Sequence, residues 1–245
     1  PVRAAPPTIR TRRPDVLKFY YNTGPNPMKV ALFLEEAGLE YEPIPVDSRK
    51  GEQFTPEYLA INPNAKAPSL VDGDVTVFDS NAILLYLGEK TGKFMPAGDP
   101  KTRGQLLSWL MFVATGVGPY SGQSVHFKRM APEKIPYAIN RYDFEAERHY
   151  KILDDHLAKH RYMVGDTYTI VDMAVWGWVR MAHLVLDEGA IDKFPNLKRL
   201  MDEINARPAA ARAIAVKDKA GHAFKAELDA EARKFMFPSN ERLAG

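Results

Sequence analysis

Ala67-Pro68-Ser69-Leu70-Val71-Asp72-Gly73-Asp74-Val75-Thr76-Val77-Phe78-Asp79-Ser80 is the stretch on which the fold turns. Residues 69–71 and 75–78 are short apolar runs, and Asp72-Gly73-Asp74 between them favours a tight hairpin, since Asp-Gly accepts the left-handed backbone such turns need. Ser80 then opens a helix whose Ile83, Leu84 and Leu87 recur at helical spacing. Upstream, residues 16–21 (Val-Leu-Lys-Phe-Tyr-Tyr) read as a strand. The turn Asn22-Thr23-Gly24-Pro25-Asn26 leads into a helix carrying Val30, Leu32, Phe33 and Leu34, which stops at Gly38. A second strand fits residues 41–46, and Thr55-Pro56-Glu57 supplies a cap and a first-turn proline for a short helix. The order is βαβαββα, complete by Gly92.

After Pro96 the strand-like runs cease and helical periodicity continues to the end of the chain. Helices are predicted over 101–127, 136–160, 169–186, 195–206 and 209–215, with a charged helical tail over 217–235 that packs as a solvated helix or as a lid. Thr169 and Asp172 form a capping box at a buried helix start, with Asp in place of the usual Glu, and its role is folding. The chain therefore divides into a basic arm (1–15), an α/β domain (16–96) and an all-α domain (97–245). The arm holds four arginines and one aspartate among prolines, which spoil the amphipathic helix of a transit peptide, so a flexible terminal extension is expected.

Composition narrows the chemistry. The 245 residues are 45% hydrophobic and 26% charged with a formal charge of +2, which suits a packed globular protein and not one that binds nucleic acid by neutralising phosphates. No apolar run approaches the roughly 18–20 residues that span a bilayer. There is no cysteine, so disulfide scaffolds, thiolate metal sites and a protein thiol nucleophile are excluded, and any sulfur chemistry must come from a ligand. His149, His156 and His160 follow helical spacings but lack a thiolate or a fourth ligand, and read as exposed helix histidines; no metal site is expected.

The βαβαββα unit with Ala67-Pro68 entering its third strand, followed by an all-α domain with that capping box, resembles the cytosolic glutathione transferase superfamily over about residues 16–215. Three strings sharpen the resemblance: Pro25-Asn26, Gly118-Pro119-x-x-Gly122-Gln123-x-x-His126-Phe127, and Ile135-Pro136-Tyr137-Ala138-x-x-Arg141-Tyr142. They are similar to the nu class of bacterial enzymes and the related yeast prion-regulator proteins. The resemblance implies an N-terminal thioredoxin-like domain and a C-terminal helical bundle, a cytoplasmic homodimer, and glutathione held in the first domain with its sulfur facing a pocket of the second.

By the same resemblance Ser80, at a helix start where amides and macrodipole favour an anion, meets the γ-glutamyl carboxylate, and Asp79, one methylene shorter than the family's glutamate, the ammonium. Ala67 offers its backbone to the cysteinyl part beside a cis Pro68. Gln53 and Lys66 approach the glycyl carboxylate, and Arg141 meets glutathione, either directly or across a dimer. Phe112, Tyr120, Gln123, His126 and Phe127 lie near the second-substrate pocket, with helix packing as the plain alternative for at least half of the aromatics.

The sulfur sets the mechanism. Shifting a thiol from a pKa near 8.5 down by two units takes about 2.7 kcal/mol, which one or two donors at a helix N-terminus can supply. Asn26 matches the family's sulfur-facing asparagine. The family's hydroxyl residue stands two places before it, where this chain has Gly24, with Thr23 one place earlier; Thr23 or the amide of Gly24 or Asn26 then shares the role. Tyr20 and Tyr21 fall inside the strand pattern and read as strand aromatics. The implied activity is glutathione-dependent disulfide reduction; conjugation or ether cleavage at an electrophilic carbon, and a non-catalytic glutathione-binding regulator, are the alternatives.

Overall fold

The computed structural model describes residues 16–96 and 98–243; the arm 1–15 lies outside them. The first domain runs β1 (Leu17–Tyr21), α1 (Pro25–Ala37), β2 (Tyr41–Pro45), a short 3-10 turn, α2 (Pro56–Ile61), β3 (Ser69–Asp72), β4 (Val75–Phe78) and α3 (Ser80–Thr91). The sheet order is β2-β1-β3-β4, with β1 parallel to β2 and the β3–β4 hairpin antiparallel beside β1. This is the βαβαββα unit the sequence predicts, with its hairpin at Gly73. Phe19 and Tyr21 of β1, and Val30, Leu32, Phe33 and Leu34 of α1, are all fully buried, each contributing about 1.5–3 kcal/mol of apolar burial.

The second domain is helical: α4 (Pro100–Phe112), α5 (Gly118–Val125), α6 (Pro136–Leu157), α7 (Ile170–Val179), α8 (Ala182–Val185), α9 (Pro195–Asn205), α10 (Pro208–Ile214), α11 (Val216–Lys219) and α12 (Ala230–Met236). The predicted helix 101–127 is realised as α4 and α5 joined and followed by π-helical segments at Val113–Val117 and His126–Met130. Helix α1 packs on α3, α7 and α10. Gly177 of α7 makes this approach possible, because a Cβ there would lie 2.7 Å from the Pro25 carbonyl oxygen. The contact is sealed by ion pairs, since Glu35 meets Arg212 at 2.8 Å and also Lys219, and Glu36 meets Arg207. These partners hold the Glu35 carboxyl below the usual carboxylate range against the opposing effect of burial.

Two expectations are corrected. The tail is not one helix over 217–235: residues 222–229 are non-helical and lie along the loop 47–53 of the first domain. Their backbone is bonded to that loop instead, with Lys225 N donating to Asp47 Oδ2 at 2.7 Å and Arg49 Nη1 donating to the carbonyls of Lys225 (2.9 Å) and Ala226 (2.6 Å). Backbone groups satisfied by tertiary partners have no need of a helix. Nor is His149 exposed: it is 4% accessible, with Phe112 and Tyr120 stacked on its ring at 5.1 and 5.0 Å. His156 is half-buried against Trp109 and bonded to the Met163 carbonyl, and His160 alone of the three is exposed.

Candidate functional site

The Ala67-Pro68 bond is cis, and β3 begins directly after it. The approach to it is pinned from below, because Tyr58 OH and Asn62 Nδ2 both donate to the Lys66 carbonyl, at 2.8 and 2.6 Å. On this support lies a cavity of about 370 Å³ lined by Asn22, Ser48, Gln53, Lys66, Ala67 and, from the tail, Phe235 and Met236. A second cavity of about 290 Å³ shares Asn22, Ser48 and Met236 and continues over Thr23 and Gly24 to Met181 at the end of α7 and Phe224. The two lie end to end along the loop that starts α1. A wider recess of about 670 Å³ opens beside Thr23 and carries Arg49, Lys217 and His222.

Gln53, Lys66 and Ala67 thus meet in one cavity, and Thr23 lines the next. Gln53 is 5% exposed; its Nε2 donates to the carbonyls of Ser48 and of Phe235 in the tail, while its Oε1 has no partner among the described residues. Gly51, at φ 78, lets the tail sit this close, since a Cβ there would lie 2.6 Å from the Phe235 ring. Asn26 lines neither cavity; it is the second residue of α1, half-buried, and its side chain makes no hydrogen bond among the described residues.

Asp79 and Ser80 stand at the start of α3. Asp79 adopts φ 72, a conformation costly for a residue with a Cβ, and its Oδ1 accepts from Asn81 N (2.8 Å) and Ala82 N (3.1 Å). The carboxylate therefore caps the helix, which takes those two amides away from any incoming anion. What remains for a ligand there is Asp79 Oδ2, the Ser80 amide and the Ser80 hydroxyl, which is buried and accepts from Lys29 Nζ at 3.4 Å. If an anion uses that hydroxyl, Ser80→Ala is expected to weaken glutathione binding by about 1–2 kcal/mol in calorimetric titration, and an unchanged affinity refutes the contact.

The α-domain candidates are more dispersed. Phe112 and Tyr120 pack on His149 inside the bundle, and Gln123 is exposed. His126 meets Phe127 and the tail's Phe237, both at 5.0 Å, and burial pushes its imidazole pKa down. Arg141 lines neither cavity and donates to Glu145 at 3.0 Å. Sequence reasoning missed Asn22, Ser48, Met181, Phe235 and Met236. Asn22 carried a signal, since an Asn two residues before a glycine forms a side-chain turn, here Gly24 N to Asn22 Oδ1 at 3.0 Å, and its Nδ2 reaches Ser48. Among the described residues no group of three or more His, Cys, Asp or Glu side chains could hold a metal ion, and no helix is long and apolar enough to cross a membrane.

An α/β domain with a cis-proline at the entry to its third strand, followed by a helical domain packed on its first helix, defines the class by its fold. Residues 15–89 match the glutathione S-transferase N-terminal domain and residues 137–208 the C-terminal domain. The chain belongs to the glutathione S-transferase family. It is 40% identical to the disulfide-bond oxidoreductase YfcG of Escherichia coli, over 81% of this chain and 94% of that one. To YghU, a second disulfide-bond oxidoreductase of E. coli, it is 38% identical, over 80% and 73% respectively. Among solved structures it resembles a glutathione transferase of Phanerochaete chrysosporium in complex with oxidized glutathione, with a TM-score of 0.77, 37% identity and coverage of 83% of this chain and 97% of that one. A family member from Pseudomonas fluorescens with two glutathione bound gives 0.76 and 33%, over 84% and 95%.

Proposed function

We propose that the protein binds glutathione along the two joined cavities and uses its thiolate to reduce disulfides. The observation that carries this reading is the meeting of Ala67, Gln53 and Lys66 with Asn22 in one cavity, and the adjoining cavity over Thr23 and Gly24, in a chain that has no cysteine of its own. Ala67 bonds the cysteinyl main chain, Lys66 holds the glycyl carboxylate, and Asp79 with Ser80 holds the γ-glutamyl end; Gln53, whose amide protons go to the Ser48 and Phe235 carbonyls, shapes the cavity wall and has no donor left for a carboxylate. The sulfur then lies at the start of α1, where Asn26 and the local amides stabilise its anion, with Thr23 beside it. The thiolate attacks one sulfur of the substrate disulfide, forming a mixed disulfide and expelling the other sulfur as a thiolate that takes up a proton. A second glutathione thiolate resolves the mixed disulfide, so two glutathiones supply the two electrons and leave as glutathione disulfide. Arg49 and Lys217, beside Thr23, suit the carboxylates of that second glutathione, whereas Arg141 does not line this recess.

The names of the two Escherichia coli relatives and the bound oxidized glutathione in the fungal structure support disulfide reduction. Attack on an electrophilic carbon is the second reading, favoured by the apolar Met181, Phe224 and Met236 over the sulfur position. A homodimer would cover Val75 and Phe78, which stand exposed on the edge strand β4. The deciding experiment is glutathione-dependent turnover of a small model disulfide beside an aryl halide. Robust reduction with weak conjugation is expected; the reverse ranking moves the assignment to carbon electrophiles, and inactivity with both, despite glutathione binding, to a binding role.

A further inference from the structure

Lys29 is the one lysine sealed inside the described structure, at 1% exposure, on the face of α1 that packs against α7. Gly177 leaves the space it occupies, since a Cβ there would stand 2.4 Å from Lys29 Cγ. Its ammonium has one hydrogen-bond partner among the described residues, Ser80 Oγ at 3.4 Å. Asp79, the acidic group that acts on it, keeps its carboxylate on the amides of Asn81 and Ala82. A buried ammonium with so little compensation is costly, and the cost falls at the point where the ligand's γ-glutamyl end is placed above.

We propose that Lys29 is a positioning residue for the ligand's γ-glutamyl α-carboxylate, acting through Ser80. A hydroxyl that accepts from an ammonium must aim its own proton elsewhere, so Lys29 turns the Ser80 hydroxyl into a donor toward an incoming anion. The carboxylate in turn supplies the counter-charge the buried ammonium lacks. The inference rests on the reading that Ser80 meets that carboxylate.

The charge balance around Lys29 gives this a pH signature. On α3 the facing charge is Asp79; on α7 Arg180 stacks on Trp176 one turn past Gly177, and Asp172 is bound into the capping box at the far end; on α10, Arg207 and Arg212 are held by Glu36 and Glu35. Desolvation dominates, opposed by Asp79, and lowers the Lys29 ammonium to about 7 in the free protein. The carboxylate binds the protonated form and raises it again, so binding takes up a proton. Affinity is full below about pH 7 and falls as the pH rises above that value.

The test uses S-methylglutathione, which has no thiol proton to confuse the count. Calorimetric titration near pH 8 in two buffers of different ionisation enthalpy is run on wild type, Lys29→Met, Ser80→Ala and the double variant. Wild type is expected to take up about one proton per site. Lys29→Met is expected to take up none, to bind about tenfold more weakly at about pH 6, and to show a flat pH profile, with the double variant no weaker than Lys29→Met alone. Its unfolding midpoint should equal or exceed that of wild type, since it removes a poorly compensated buried charge. No proton uptake by wild type, or wild-type affinity and pH slope in Lys29→Met while Ser80→Ala binds weakly, overturns the role of Lys29 and leaves the Ser80 reading standing. Wild-type affinity in Ser80→Ala overturns both.

Discussion

Asp172→Ala is expected to cost about 3–5 kcal/mol of stability. The carboxylate is fully buried and serves three donors: Met163 N at 2.8 Å through Oδ1, and Thr169 N at 2.8 Å and Thr169 Oγ1 at 3.1 Å through Oδ2. Burial pushes the carboxyl up to about 7, against the pull of these donors. Removing it leaves two buried amides unpaired, at about 1–3 kcal/mol each, and weakens the cap by about 1 kcal/mol more. The thermal midpoint should fall by roughly 10 °C. Asp172→Asn, which keeps an acceptor, should lose less. Because Ile170 N bonds the Phe94 carbonyl from the first domain, the same helix start also sets α7 against α1. A loss under about 1 kcal/mol in denaturant titration would show that the box is ornamental.

Asn26→Ala should cut disulfide turnover roughly 10- to 100-fold while glutathione affinity changes by no more than a few-fold. The disparity follows from where the amide works. A side chain at the second position of α1, with its donors unspent, adds a hydrogen bond to a sulfur that is strongest when the sulfur is charged, worth about 1.5–3 kcal/mol. Neutral glutathione gains little from it, so the loss appears in turnover. Asn26→Asp should be poorer still, because a carboxylate beside the sulfur disfavours the thiolate. Equal losses in turnover and binding, or neither, would transfer the task to Thr23, which lines the cavity, or to the Gly24 amide.

Elements with local causes were legible in the sequence. The β3–β4 hairpin follows from Asp72-Gly73, α1 stops at Gly38, and the Thr169–Asp172 box forms as read, because each depends on residues a few positions apart. The tail was not legible. Its Lys, Glu and Ala content suits a helix, and the residues that claim the backbone of 225–226 instead, Asp47 and Arg49, are distant in sequence. His149 looked polar and exposed, yet two aromatics from earlier helices enclose it. Of the residues the resemblance singles out, Gln53, Lys66 and Ala67 line one cavity, whereas Asp79 spends one carboxylate oxygen on capping α3, a local use that its shorter side chain makes easy. Lys29 drew no notice because one lysine in an apolar helix carries no pattern.

The embrace between residues 225–235 and the loop 47–53 has a consequence for the order in which the protein is made. A nascent chain can assemble the whole sheet and α1 to α3 while Asp47, Arg49 and Gln53 still wait for partners about 180 residues away. The cavity over Gln53, Lys66 and Ala67 is therefore walled only after residues 225–236 have been made. A fragment ending near residue 96 would keep the strands and lose the wall that Phe235 and Met236 provide, and a fusion joined after the tail would press on the segment that closes the cavity.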